Sequence, residues 1–181
     1  MPTMTRAYRW YVLVTRCNHE AKAEKYLRSK NIEVYLPTYQ TLKQWTGRKK
    51  WITSPLFPSY LFVRVSIREY SQALMDSSIV RYITLEDQPC PVPDDQIEAI
   101  KAVLTNKIPF EVTDEAFKPG KKVVIQSGPL MGYQAEIIER RGKERLVLCV
   151  EGTEKKIIID EKDAGYLSGE SECKGGASEV D

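Results

Sequence analysis

The chain has no apolar run near the roughly twenty residues that a membrane-crossing helix needs, and its start, Met1 to Arg9, lacks the apolar core of a secretory leader. A cytoplasmic protein with no membrane association is expected. Cysteine is scarce and scattered. Cys17, Cys90, Cys149 and Cys173 form no Cys-x-x-Cys pair, which argues against a structural zinc site and offers no disulfide framework. Histidine is scarcer still. His19 stands alone, with no third ligand to suggest a metal and no triad built around it. Neither G-x-x-x-x-G-K-[ST] nor G-x-G-x-x-G occurs. Together these gaps remove the common enzyme classes. No catalytic residue, metal or cofactor is expected, and the chain reads as a binding protein.

What is present begins with uneven charge. Net charge is only +2 over 181 residues, a length that suits one large or two small domains. Yet residues 1–50 carry 11 Lys/Arg against 3 Asp/Glu, whereas residues 105–181 carry 12 against 15. A basic front and a mildly acidic back suggest two modules with different partners, the first suited to a phosphate chain.

Two strands stand out because both of their faces are apolar. In Pro55-Leu-Phe-Pro-Ser-Tyr-Leu-Phe-Val-Arg-Val65, Leu61, Val63 and Val65 point one way and Tyr60 and Phe62 the other. One face serves a core; the second, with Phe57 and Pro58, is a candidate docking surface. Trp10 to Thr15 alternates likewise, Trp10, Val12 and Val14 against Tyr11 and Leu13, as an interior strand does. Asn18 is placed to cap the helix that follows, with Ala23, Tyr26 and Leu27 on its apolar side. Residues 38–54 read as an extended polar hairpin turning at Thr46-Gly47. Ser66 and Glu69 suggest a capping box, and Pro93 with Asp94 and Asp95 opens a further helix. The order β-α-β-hairpin-β-α-β-α gives an α+β unit over 1–104, a mixed or antiparallel sheet flanked by helices. Residues 105–117 show no clear period and read as a linker.

After Phe117 short β-rich runs alternate with glycine turns, which predicts a small five-stranded β-barrel over 118–167. The Gly/Ser/Glu-rich stretch 168–181 is expected to be disordered. Gly128 and Gly132 supply positive φ at a tight corner, and Gly120 precedes a strand.

The run Phe117-Lys-Pro-Gly-Lys-Lys-Val-Val-Ile-Gln-Ser-Gly-Pro-Leu-Met-Gly-Tyr-Gln-Ala-Glu-Ile resembles the KOW motif of the NusG family of transcription elongation factors, with Ala135 where the family often has glycine. Trp10-Tyr-Val-Leu-Val, a helix, and Pro55-Leu-Phe-Pro-Ser-Tyr-Leu-Phe-Val resemble that family's N-terminal domain. Both halves occur in order, over roughly residues 8–167. Ser59 before the tyrosine, and Tyr82-Ile83-Thr84-Leu85 where housekeeping members tend to carry a Gly-Phe pair, lean to the specialised RfaH/UpxY-like branch.

The resemblance implies an N-terminal domain that docks on the clamp helices of RNA polymerase and a C-terminal SH3-like KOW barrel. Phe57, Pro58, Tyr60 and Phe62, with Tyr11 nearby, match the polymerase-binding surface. Glu69, Tyr70, Ser71 and Gln72 fall where the family meets the polymerase gate loop. Arg16, His19, Lys22, Lys43, Arg48, Lys49 and Lys50 are candidates for contact with the non-template DNA strand, and Trp45 and Trp51 for stacking on an unpaired base. The KOW partner in the family is Rho or the small ribosomal subunit. A monomeric antiterminator that suppresses pausing or termination is the implied function. The alternative is a ribosome-associated or RNA-binding KOW protein, against which the acidic back half argues. In RfaH the C-terminal segment can refold to a helical hairpin. The Val/Ile-rich strands and glycines of this chain disfavour helix, so no such switch is expected.

Overall fold

A computed structural model describes residues 6–45, 47–118, 120–140 and 142–164. The expected disordered tail, 168–181, lies outside them. The N-terminal sheet has the order β2-β5-β1-β6, from β1 (Arg9–Thr15), β2 (Glu33–Tyr35), β5 (Tyr60–Val65) and β6 (Ile79–Tyr82), and β9 (Pro91–Val92) also pairs with β1. Every pairing is antiparallel. Period-two alternation sorts the side chains as the sequence suggests. Tyr11, Leu13, Leu61, Val63 and Val65 share one core with Ala23 and Leu27 of α1 (Glu20–Ser29) and Ala73 of α2 (Tyr70–Ala73). Trp10, Val12 and Phe62 lie in the opposite core with Ile97, Ile100 and Val103 of α3 (Asp94–Thr105).

Strands β3 (Thr38–Trp45) and β4 (Arg48–Pro55) form a separate two-stranded hairpin, paired from Thr38↔Pro55 to Trp45↔Arg48. The strands turn between Trp45 and Arg48, where Gly47 takes φ +80°. A second small hairpin, β7 (Thr84–Leu85) with β8 (Gln88–Pro89), has no counterpart in the sequence reading.

The C-terminal unit is a five-stranded antiparallel sheet of order β10-β14-β13-β12-β11. Its strands are β10 (Phe110–Thr113), β11 (Lys121–Val124), β12 (Gln134–Arg140), β13 (Lys143–Cys149) and β14 (Lys156–Asp160), followed by the short α4 (Glu161–Ala164). Strand β10 corrects the expectation of a linker over 105–117. Phe110 and Val112 pack on the core and the backbone of β10 pairs with β14, so this stretch is structural. Asn18 does not cap α1. It takes φ +59°, the N-cap is His19, and no side chain caps that end. The Ser66–Glu69 pair does form, with the Ser66 N–H donating to the Glu69 carboxylate at 3.1 Å.

The core on the Phe62 side does not stop at the N-terminal unit. The hydrophobic cluster that holds Phe57, Phe62 and Ile100 continues into Ile125, Leu130, Leu146, Leu148, Val150, Ile157 and Ile159 of the C-terminal unit. The two units are therefore packed together, α3 against β13.

Candidate functional site

The segment Pro55–Ser59 enters β5 across the end of β1. It is pinned on three sides: the Leu56 N–H donates to Pro37 O at 2.8 Å, the Thr15 N–H to Ser59 O at 2.8 Å, and the Ser59 N–H to the Glu20 carboxylate at 2.7 Å. Ser59 takes φ +65°, a region that favours glycine. Glu20 is 7% exposed, so its bond to this amide offsets the cost of burying its carboxylate.

Of the residues expected on a docking surface, the structure brings four together and separates one. Phe57 meets Phe62 edge-on at 6.1 Å, and Phe62 stacks on Tyr35 at 6.2 Å. Tyr60 packs against the same cluster, half-buried, and Pro58 is exposed beside it. Tyr11 lies on the other face of the sheet. Val12 is the residue opposite Phe62, so period two turns Tyr11 away, edge-on to Tyr82. Phe57 and Phe62 are 1% and 0% exposed, which corrects the expectation that this face lies open.

What covers it is the rest of the chain. Tyr39, Pro55, Leu56 and Pro58 form one wall of a groove, and Ile108, Phe110, Val112 and Lys155 form the other. Tyr39 meets Phe110 edge-on at 5.3 Å. Further along, Gln96, Ala99 and Ile100 of α3 face Ala135, Leu148 and Val150 across a crevice of about 150 Å³. There the Glu151 N–H donates to Gln96 Oε1 at 2.8 Å, and Gly152 lies against Cys90 and Ile83. Burial and the nearby Glu151 carboxylate push the Cys90 thiol up.

Sequence reasoning missed Tyr35 and Lys101. The Lys101 ammonium sits over the rings of Tyr35 and Trp10, at 5.4 and 5.8 Å, and also pairs with Glu98. Burial raises the Tyr35 phenol to about 12, with Glu98 adding to it. A signal was present in Val34-Tyr35, since Tyr35 pairs with Phe62.

The second candidate surface begins at α2. Tyr70 turns inward and stacks on Tyr82 at 4.5 Å, whereas Ser71 is exposed and the Gln72 carbonyl accepts the Tyr26 hydroxyl. The Tyr8 hydroxyl donates to Glu69 at 2.7 Å. The bonds from Ser66 and Tyr8 hold the Glu69 carboxyl below its usual range.

The basic candidates fall in two places. Arg16, His19 and Lys22 flank the β1–α1 junction, where His19 Nδ1 donates to Cys17 O at 2.8 Å. Hydrogen bonds from Ser78 hold the Asp76 carboxyl below its usual range, with the nearby Lys22 and His19 adding to the shift. Lys43, Arg48, Lys49 and Lys50 are all exposed on the β3–β4 hairpin. In the C-terminal sheet Gly128 and Gly132 take φ +80° and +90°. Gly120 is required for another reason, since a Cβ there would lie 2.0 Å from the Ile137 carbonyl oxygen. Among the described residues no three His, Cys, Asp or Glu side chains gather to hold a metal, and no helix is long and apolar enough to cross a membrane.

Comparison with known proteins gives these surfaces a family. Residues 8–101 match the family model described as transcription termination factor nusG. The chain is 24% identical over 173 residues to the transcription termination/antitermination protein NusG of Thermus thermophilus, covering 83% of this chain and 94% of that protein. It is 24% identical over 143 residues to the protein of the same name from Escherichia coli K12, covering 72% and 79%. A solved structure described as domain interaction in Thermotoga maritima NusG aligns with 86% of this chain and 95% of its own, at 22% identity and a TM-score of 0.49. With more than half of its length matched by the family model, this chain belongs to the NusG family.

Proposed function

We propose that the protein is a transcription elongation regulator that binds RNA polymerase and suppresses pausing or termination. The observation that carries this reading is the aromatic cluster Phe57–Phe62–Tyr35 with Tyr60 and Pro58 at its rim, on a sheet face packed against α3 and sharing one apolar cluster with the C-terminal sheet. Buried aromatics with a wetter rim are the usual anchors of a protein interface. The polymerase clamp helices are the partner this surface fits by family likeness. In this reading the C-terminal sheet is a lid, and polymerase binding displaces it. A partner that binds only the open form draws the population toward it.

We further read the C-terminal sheet as a closed SH3-like KOW barrel over 118–167, extended at its start by β10. Rho or the small ribosomal subunit is its partner class. The N-terminal unit spans 1–104. Ser71 and Gln72 are the α2 residues free to meet the polymerase gate loop, and Arg16, His19 and Lys22 with the β3–β4 hairpin face the non-template DNA strand. Ser59 in place of glycine and Tyr82-Ile83-Thr84-Leu85 favour the specialised RfaH/UpxY-like branch.

The test is affinity for core RNA polymerase. Phe57→Ala and Phe62→Ala serve poorly, because truncating a buried Phe costs about 3–5 kcal/mol of stability. Pro58→Asp and Tyr60→Ala act at the rim. Each is expected to weaken polymerase binding about tenfold or more, as interface anchors do. Unchanged affinity in both, with the fold intact, contradicts the reading.

A further inference from the structure

Phe57-Pro58-Ser59-Tyr60 forms a turn at the entrance to β5. The Tyr60 N–H donates to Phe57 O at 3.1 Å, with Pro58 and Ser59 in the two central positions. Ser59 takes φ +65°, the geometry of a type II turn, whose third residue is ordinarily glycine. Proline suits the second position. Serine is disfavoured in the third, because its Cβ crowds the backbone there. The local sequence therefore does not account for this turn.

The group that does account for it lies 39 residues away. The Ser59 N–H, which the hydrogen bond of the turn does not use, donates to the Glu20 carboxylate at 2.7 Å. The Ser59 carbonyl accepts the Thr15 N–H at 2.8 Å. The peptide groups on both sides of the Ser59 Cα are thus held, which sets its φ and ψ. Glu20 is 7% exposed. Among the described residues no cation pairs with it. Its place in the first turn of α1 lessens the cost of burying it, yet a carboxylate without a cation is a poor choice for packing alone. Its reach and charge suit a strong bond to an amide on another element.

We propose that Glu20 is a positioning residue for polymerase docking: it clamps the Ser59 amide, keeps the turn left-handed at Ser59, and so sets exposed Pro58 and half-buried Tyr60 in the arrangement the partner meets. Glu20 is buried and acts through Ser59, not by contact with the partner. It does for Ser59 what glycine would do by itself. The proposal rests on the docking surface proposed above and adds to it a residue of α1 that is not on that surface. Its test has one arm without polymerase, so that failure of the clamp and failure of the docking reading give different results.

Affinity of the full chain for core RNA polymerase is measured in Glu20→Ala, Glu20→Asp and Glu20→Gln, each first shown folded by circular dichroism. Glu20→Asp keeps the charge and the helix start but shortens the reach; Glu20→Gln keeps the reach and an acceptor oxygen. Glu20→Ala and Glu20→Asp are each expected to weaken binding about tenfold, the loss of one hydrogen bond to a charged group. Glu20→Gln is expected to stay within about threefold of the parent, since a neutral acceptor still serves the amide. In a Ser59→Gly background Glu20→Ala is expected to cost less than about threefold, because glycine takes positive φ unaided. Without polymerase, the residue 59 amide is expected to exchange with solvent at least about ten times faster in Glu20→Ala than in the parent, as read by NMR. Should Glu20→Ala not fold, Glu20→Asp carries every comparison. The proposal is overturned if Glu20→Asp binds as the parent does while Pro58→Asp does not, if Ser59→Gly gives no rescue, or if residue 59 exchanges at an unchanged rate. Unchanged affinity in Pro58→Asp and in every Glu20 variant overturns the docking reading and this proposal with it, and faster exchange at residue 59 would then show that the clamp itself exists.

Discussion

Single residues in this chain are specified by different physical demands even where the residue type is the same. Gly132 needs freedom of φ, and an added Cβ there meets nothing within 4 Å. Gly120 needs room, because its Cβ would collide with backbone of β12. Gly132→Ala is therefore expected to cost about 1 kcal/mol, the penalty for a left-handed non-glycine residue. Gly120→Ala is expected to cost about 3 kcal/mol, the upper range for overpacking. Denaturant unfolding of the two variants checks the order. Tyr35 makes a pH prediction. Its folded-state pKa is about 12, above its ordinary 10. The folded state thus holds the proton that the unfolded chain releases, and the stability tied to that proton is whole below pH 10 and lost as pH rises through 12. Tyr35→Phe is expected to flatten the fall of the denaturation midpoint across that window. An equally steep fall in the variant would show that Tyr35 does not carry it.

At the scale of elements, the sequence was clearest where one strand obeys period two on both faces. Trp10 and Val12 against Tyr11 and Leu13, and Phe62 against Leu61 and Val63, are legible in the sequence as opposite faces, whereas the Phe62 face, which reads there as a docking surface, is a second core in the structure. Strand β10 was illegible for the converse reason: four residues with two apolar side chains carry too little pattern, and their pairing partner β14 lies more than forty residues away. Tyr70 divides the two cases. Its helical spacing matched the α2 core, and the same position matched a family contact; the stacked ring of Tyr82 shows which of these its side chain serves. The β3–β4 hairpin stands apart, held by one ladder and little packing. Two-stranded hairpins are marginal alone, so its amides toward the turn are expected to exchange with solvent much faster than those of β1 and β5. Hydrogen-exchange mass spectrometry reads this directly. Protection of the hairpin equal to that of the sheet would mean that it is supported by contacts beyond those described.

Over the whole molecule the decisive feature was invisible in the sequence. An apolar strand face announces that something must cover it, but not whether the cover is foreign or its own. Pro55-Leu-Phe-Pro-Ser-Tyr-Leu-Phe was legible as such an apolar face. The sheet that covers it comes from the other unit, and packing between two units leaves no local period to read. Among the described residues its holds include the hydrogen bond from Glu151 to Gln96, the Gly152 contact with Cys90, the Tyr39–Phe110 ring contact, and a shared apolar cluster with a crevice in it. In the proposed function that sheet is a lid that polymerase displaces. The direct test joins the lid to α3. Gln96→Cys and Glu151→Cys, in a chain whose native cysteines are serine, place a reversible disulfide across that hydrogen bond. Affinity for core RNA polymerase is then measured oxidised and reduced. The oxidised protein is expected to bind at least tenfold more weakly, with reduction restoring binding; equal affinity in the two states would contradict the lid.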